Sequence, residues 1–130
     1  MKEFGIILIC VTIVIGSSML SQNYLEKTAG KILEELEELR IQIEEAINTK
    51  NNEFSLELAN KEYSEWEEIT PKWSLIIEHE ELDQIHLSLL GVKTALRASE
   101  LENSLQEIEK SIFLLNHIKE KGEFKLKNIF

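Results

Sequence analysis

The chain has 130 residues, a net charge of −10, one proline and one cysteine. That length supports one hydrophobic core and falls short of two ordinary domains. An acidic surplus argues against nucleic acid, whose phosphates demand Lys and Arg, and the lone Cys10 rules out an internal disulfide and a Cys-based zinc centre.

Phe4 to Leu20 is an uncharged, almost wholly apolar run, and Ser21 to Leu25 adds five more uncharged residues. About 20 helical residues span a hydrocarbon core, so residues 1–21 read as a transmembrane anchor. Tyr24 falls where interfacial aromatics sit. A cleaved signal peptide is the alternative, because Gly16-Ser17-Ser18 offers small residues to a peptidase. A lipoprotein cleaved before Cys10 is disfavoured by Ile9, where a lipobox needs a small residue. Lys2 with the free amine argues for a cytoplasmic N-terminus, although Lys27 and Lys31 flank the other side. The expected localisation is the cell membrane, single-pass, with the module of residues 22–130 extracytoplasmic.

Helix 1 is expected from about Gln22 to Thr49. Its stripe Leu25, Ala29, Ile32, Leu36, Leu39, Ile43 and Ala46 is a heptad seam, and only Gly30 interrupts its continuity with the anchor. Lys50-Asn51-Asn52 reads as a turn. Helix 2 follows with the stripe Leu56, Ala59, Tyr63, Trp66, Thr70, Trp73 and Ile77. The phase holds through Pro71, so a kinked continuous helix is expected, with Thr70 as a new N-cap and Pro71 at the first helical position as the alternative. From Ile77 to Leu82 the step is five, which places a turn near Glu78-His79. Helix 3 carries Leu82, Ile85, Leu89, Val92 and Leu96. Ser99 and Glu102 form a Ser-x-x-Glu capping box that opens helix 4. Leu101, Leu105, Ile108, Ile112, Leu115 and Lys119 line helix 4, widened by Phe113, Leu114 and Ile118, and Gly122 is expected to stop it. The fold class is all-α: one N-terminal transmembrane helix and an antiparallel bundle of about four helices.

Short connections make neighbours antiparallel. The helix 2–3 turn and the C-terminus then return to the membrane. Residues 34–118 hold 20 acids and 7 bases, whereas the basic tail Lys121 to Phe130 joins Lys27 and Lys31 near the headgroups. Phe124, Leu126, Ile129 and Phe130 give that tail an apolar component. It either packs on its own bundle or touches lipid.

The densest polar cluster is His79-Glu80-Glu81-Leu82-Asp83, with His86 following. On a helix His79, Asp83 and His86 share one face. Two imidazoles and a carboxylate are metal-ligand types, but the zincin pattern fails because Asp83 stands where its second histidine belongs. Acids in a first helical turn also serve the helix dipole. His117 comes to the same end of the bundle, within reach of His79 or a carboxylate. Trp66 and Trp73 lie seven apart on one face, which suits core packing or a ligand-stacking pair. There is no Gly-rich phosphate loop and no nucleophile motif. No cofactor is expected, and no enzyme activity.

The residues from Trp66 onward, with Trp73-Ser74-x4-His79-Glu80-Glu81-Leu82-Asp83, then Ser88-Leu89, His117-Ile118-x-Glu120 and Leu126-x-Asn128-Ile129-Phe130, carry a likeness. The chain resembles an uncharacterised domain-of-unknown-function family of short, N-terminally anchored helical proteins from Gram-positive, clostridia-like bacteria. Glu78, where the family more often has Asp, and Pro71 depart from its pattern. The resemblance implies membrane anchoring and, through neighbouring genes for a multi-pass membrane protein, a membrane partner. The expected role is therefore that of a membrane-anchored accessory or interaction protein of the cell envelope. It contacts the bilayer through Phe4–Leu20 and a further membrane protein or a second copy through its bundle. An extracytoplasmic ligand- or metal-binding sensor using the His79–Asp83 cluster is the alternative.

Overall fold

The computed structural model describes residues 2–129, with side chains through Gly122. Four helices follow one another: α1 (Lys2–Thr49), α2 (Glu53–Trp73), α3 (His79–Arg97) and α4 (Leu101–Ile129). Each packs on its sequence neighbours, and α4 closes the ring against α1. The result is an up-down-up-down bundle.

α1 is one unbroken helix of 48 residues, about 72 Å long at 1.5 Å per residue. Nothing between Lys2 and Leu20 is buried, and Phe4, Ile13 and Leu20 are largely exposed. An apolar segment that stands clear of the bundle at spanning length has lipid as its solvent. The second part of α1 buries Leu25, Ala29, Ile32, Leu36, Leu39, Ile43 and Ala46, the heptad seam read from the sequence. α3 likewise buries Leu82, Ile85, Leu89, Val92 and Leu96, and adds Ser88 and Ala95.

α2 differs from the expected stripe. Its buried face is Ser55, Ala59, Glu62, Trp66 and Trp73, while Leu56, Tyr63 and Thr70 are half-buried flanks. Ser55 donates its hydroxyl to the Gln42 carbonyl of α1 at 3.1 Å. A small polar residue therefore sits where the two backbones approach, and a count of apolar residues passes over it. α2 runs through Pro71 and ends at Trp73, short of Ile77. Pro71 has no N–H to continue the ladder, and the chain leaves the helix within the next turn. Ser74–Glu78 form that turn, with Ser74 N–H on the Thr70 carbonyl and Ile77 N–H on the Trp73 carbonyl, both at 2.9 Å.

Two helix-end expectations are corrected. Ser99 does not cap α4: its φ of 58° places it in the left-handed region. Ser99 N–H bonds the Leu96 carbonyl and Glu100 N–H the Ala95 carbonyl, at 3.1 and 2.8 Å. This is a Schellman stop for α3, with serine where glycine is usual. Lys50, at φ 60°, ends α1 with a single bond to the Ala46 carbonyl. Gly122 does not stop α4, which continues to Ile129. It is a buried contact point: a Cβ there would lie 2.9 Å from Gln22 Oε1 and 3.2 Å from Leu25 Cδ2. The tail side chains Phe124, Lys125, Leu126, Lys127, Ile129 and Phe130 lie outside the described residues.

The contact of Gly122 with Gln22 and Leu25 puts the end of α4 beside the root of the anchor. The α2–α3 turn is there too, since Ile76 and Ile77 line a small cavity with Gln22 and Leu25. α3 and α4 approach through small residues. Ser88 hydroxyl bonds the Glu107 carbonyl at 3.1 Å and also meets Ser111, and Gly91 lies against the Glu107 side chain.

Candidate functional site

α1 and α2 carry the one close group of potential ligand atoms among the described residues: the carboxylates of Glu35, Glu62 and Glu65, with an oxygen of each within 4.8 Å of the others. Glu62 and Glu65 are one turn apart on α2, so both reach α1, and Glu35 flanks the α1 seam beside Leu36. Glu62 is only 5% exposed, on the same face as Ala59 and Trp66. Burial pushes its carboxyl up to about 9, reinforced by the hydrogen bond it shares with Glu35. Glu65 is also raised, chiefly by its own hydrogen bond to Glu35. Burial alone would raise Glu35 as well. The hydrogen bonds from Glu65 and Glu62, with the charges of Lys31 and Lys61, outweigh it and hold Glu35 below the ordinary range. At neutral pH the arrangement sets a protonated Glu62 beside an ionised Glu35. It shares protons, and a cation entering it would have to displace the Glu62 proton first.

None of these three glutamates stands out in a search for His- and Cys-bearing motifs. The available signal is spacing: Ser55, Ala59, Glu62, Trp66 and Trp73 fall on one 3.6-residue face, and one member of that face is a carboxylate.

The residues singled out from the sequence are distributed differently. His79 and Asp83 are exposed on the first turns of α3. His86, on the same helix, turns to Tyr63: its Nε2 lies 3.3 Å from the phenol oxygen and the rings are 5.4 Å apart. The Lys93 ammonium lies over the Tyr63 ring, 4.6 Å from its centre. His117 lines a shallow groove of about 260 Å³ with Glu78, Glu80 and Glu81, so it does meet the acids at the anchor end, while His79 lies outside that groove. Glu81 pairs with Lys121 at 3.1 Å, and this partner raises the Lys121 ammonium.

Trp66 and Trp73 are both buried in the core. Their rings meet edge to face at 5.5 Å and 86°, a favoured aromatic geometry. No face of either is open to an external ligand. Both indole N–H groups are buried without a hydrogen-bond acceptor.

Residues 19–129 match the family model described as "Domain of unknown function (DUF4363)". No curated protein and no solved structure matches the chain.

Proposed function

Because the chain belongs to the family of this domain of unknown function, we propose a role from its architecture: a non-enzymatic accessory protein of the bacterial cell envelope. In this reading the host is a Gram-positive, clostridia-like bacterium. The N-terminus is cytoplasmic, and the bundle presents a face to a neighbouring membrane protein or to a second copy.

The observation that carries this reading is the unbroken α1. One helix is both the membrane anchor and a core element of the bundle. The bundle therefore stands at a set height above the bilayer, as suits a module that presents a surface laterally. Such a surface exists along α1 and α4: a shallow groove of about 530 Å³ with Leu33 and Ile41 among its walls and Glu34, Glu37 and Glu38 at its rim. Exposed apolar residues rimmed by charge are the usual composition of a docking face.

In-cell photo-cross-linking tests it. A cross-linker at Ile41 or Lys119 should give a discrete adduct with one membrane protein or with a second copy, and a cross-linker at Gln106, exposed on the face of α4 opposite its buried stripe, should give none. No adduct from either groove position would sink the accessory reading. Protease treatment of wall-stripped cells tests the orientation. Digestion of the bundle from outside is expected, and protection until lysis would reverse it.

A binding sensor is the second reading, favoured by the groove that brings His117 to Glu78, Glu80 and Glu81. Thermal unfolding with and without divalent ions decides it, because a flat response across metals removes the metal version.

A further inference from the structure

The α2–α3 turn reads Ser74-Leu75-Ile76-Ile77, three large apolar residues in succession where turns are ordinarily polar. Ile76 and Ile77 are half-buried and pack on the core. Leu75 is 85% exposed, more than any other large apolar side chain among the described residues, including those of the anchor.

Its position gives that exposure a meaning. Ile76 and Ile77 share a small cavity with Gln22 and Leu25 of α1. Those residues follow the last residue of the apolar run, Leu20, by roughly 3 to 8 Å along the helix at 1.5 Å per residue. The interfacial layer of a bilayer is about 5 to 7 Å thick on each side. The turn is thus level with that layer, as is Tyr24, which the same helix exposes. The exposed charges around it are mixed, Lys72 and Lys27 against Glu78 and Glu80, so charge attraction does not select its neighbour.

The geometry points to the α2–α3 turn as a second membrane contact, with Leu75 seated in the lipid interface beside the anchor. The occupant is the acyl and glycerol region of the bilayer that α1 crosses, with no demand for an anionic headgroup. A single helix leaves the bundle free to rotate about its axis and to tilt. A second contact beside that helix, off its axis, removes that freedom and determines which face of the bundle turns outward. The inference rests on the membrane anchor and is independent of the partner proposed above.

The test uses the full-length chain with Cys10→Ser, reconstituted in phosphatidylcholine nanodiscs. An environment-sensitive fluorophore is attached at Leu75→Cys, and in a second sample at Glu102→Cys, exposed at the distal end of the bundle. Spin-labelled lipid should quench the Leu75 probe several-fold more than the Glu102 probe, and aqueous iodide should quench it several-fold less. Equal behaviour of the two probes would overturn the proposal. Shielding from iodide without lipid quenching would mean that a second copy covers the turn, and would overturn it as well. Leu75→Cys removes no buried contact, so far-UV circular dichroism of the labelled protein should match the parent.

Discussion

Replacing Glu62 by glutamine is the sharpest perturbation of the α1–α2 interface. Glu62 is buried on the core face of α2, and its carboxyl is raised from 4.5 to about 9. Between those values the folded chain keeps a proton that the unfolded chain has released. The unfolded state binds fewer protons, so the contribution of this group to stability is fully present below 4.5 and falls as pH rises towards 9. The slope approaches about 1.4 kcal/mol per pH unit, which accumulates to roughly 3 kcal/mol by neutral pH. Glu65 adds in the same sense, because its pKa is raised too. Glu35 acts oppositely and lower on the scale: its depressed pKa gives stability that is lost as pH falls through its folded value. Glu62→Gln keeps the shape of the protonated acid and a donor for Glu35, and has no proton to release. The variant should match the parent near pH 4.5, exceed it by about 2–3 kcal/mol at neutral pH and lead further at pH 9. At about 2–5 °C per kcal/mol for a domain of this size, the gain in melting temperature is roughly 4–15 °C at neutral pH. Thermal unfolding of the full-length protein in detergent micelles, followed by circular dichroism across that pH range, measures it. A pH-independent offset, or a loss of stability at neutral pH, would refute the protonated, buried Glu62.

Ser99→Gly should stabilise by about 0.5–1 kcal/mol, because glycine occupies the left-handed stop of α3 without strain. Lys50→Gly should act alike at the end of α1, and denaturant midpoints check both. Gly122→Ala should be nearly neutral, since the better helix propensity offsets a contact that the Gln22 side chain can yield. Gly122→Leu should cost about 1–3 kcal/mol through overpacking against Leu25, seen as an early thermal transition. Trp66→Ala should remove about 3–5 kcal/mol by opening a cavity beside Trp73, whereas Trp66→Phe keeps most of the ring contact and should lose far less. Near-UV circular dichroism reads the loss of the indole pair directly.

The anchor, the four helices, and the seams of α1 and α3 were legible from the chain because apolar periodicity is a local property that these helices satisfy without exception. Leu25 to Ala46 and Leu82 to Leu96 are buried as their spacing demands. The antiparallel ring follows from the short connections. Other features depended on neighbours distant in sequence. Glu62 reads as a surface charge until α1 brings Glu35 to it, and Ser55 reads as polar surface until its hydroxyl meets the Gln42 carbonyl. Ser99 and Gly122 carry the residue types of a cap and a stop. Which role each takes is decided by the Schellman bonds at one end of the bundle and by the approach of α1 at the other. His79 and His117 are both membrane-proximal by topology, yet the groove admits only His117, because Glu80, Glu81 and Gln84 face α4 while His79 shares the α3 flank of His86, which turns to Tyr63 of α2. Periodicity is written along one helix and can be read from it. The protonation of a buried acid, the role of a glycine and the membership of a side-chain cluster are set by a second helix, and exist only once the two have packed.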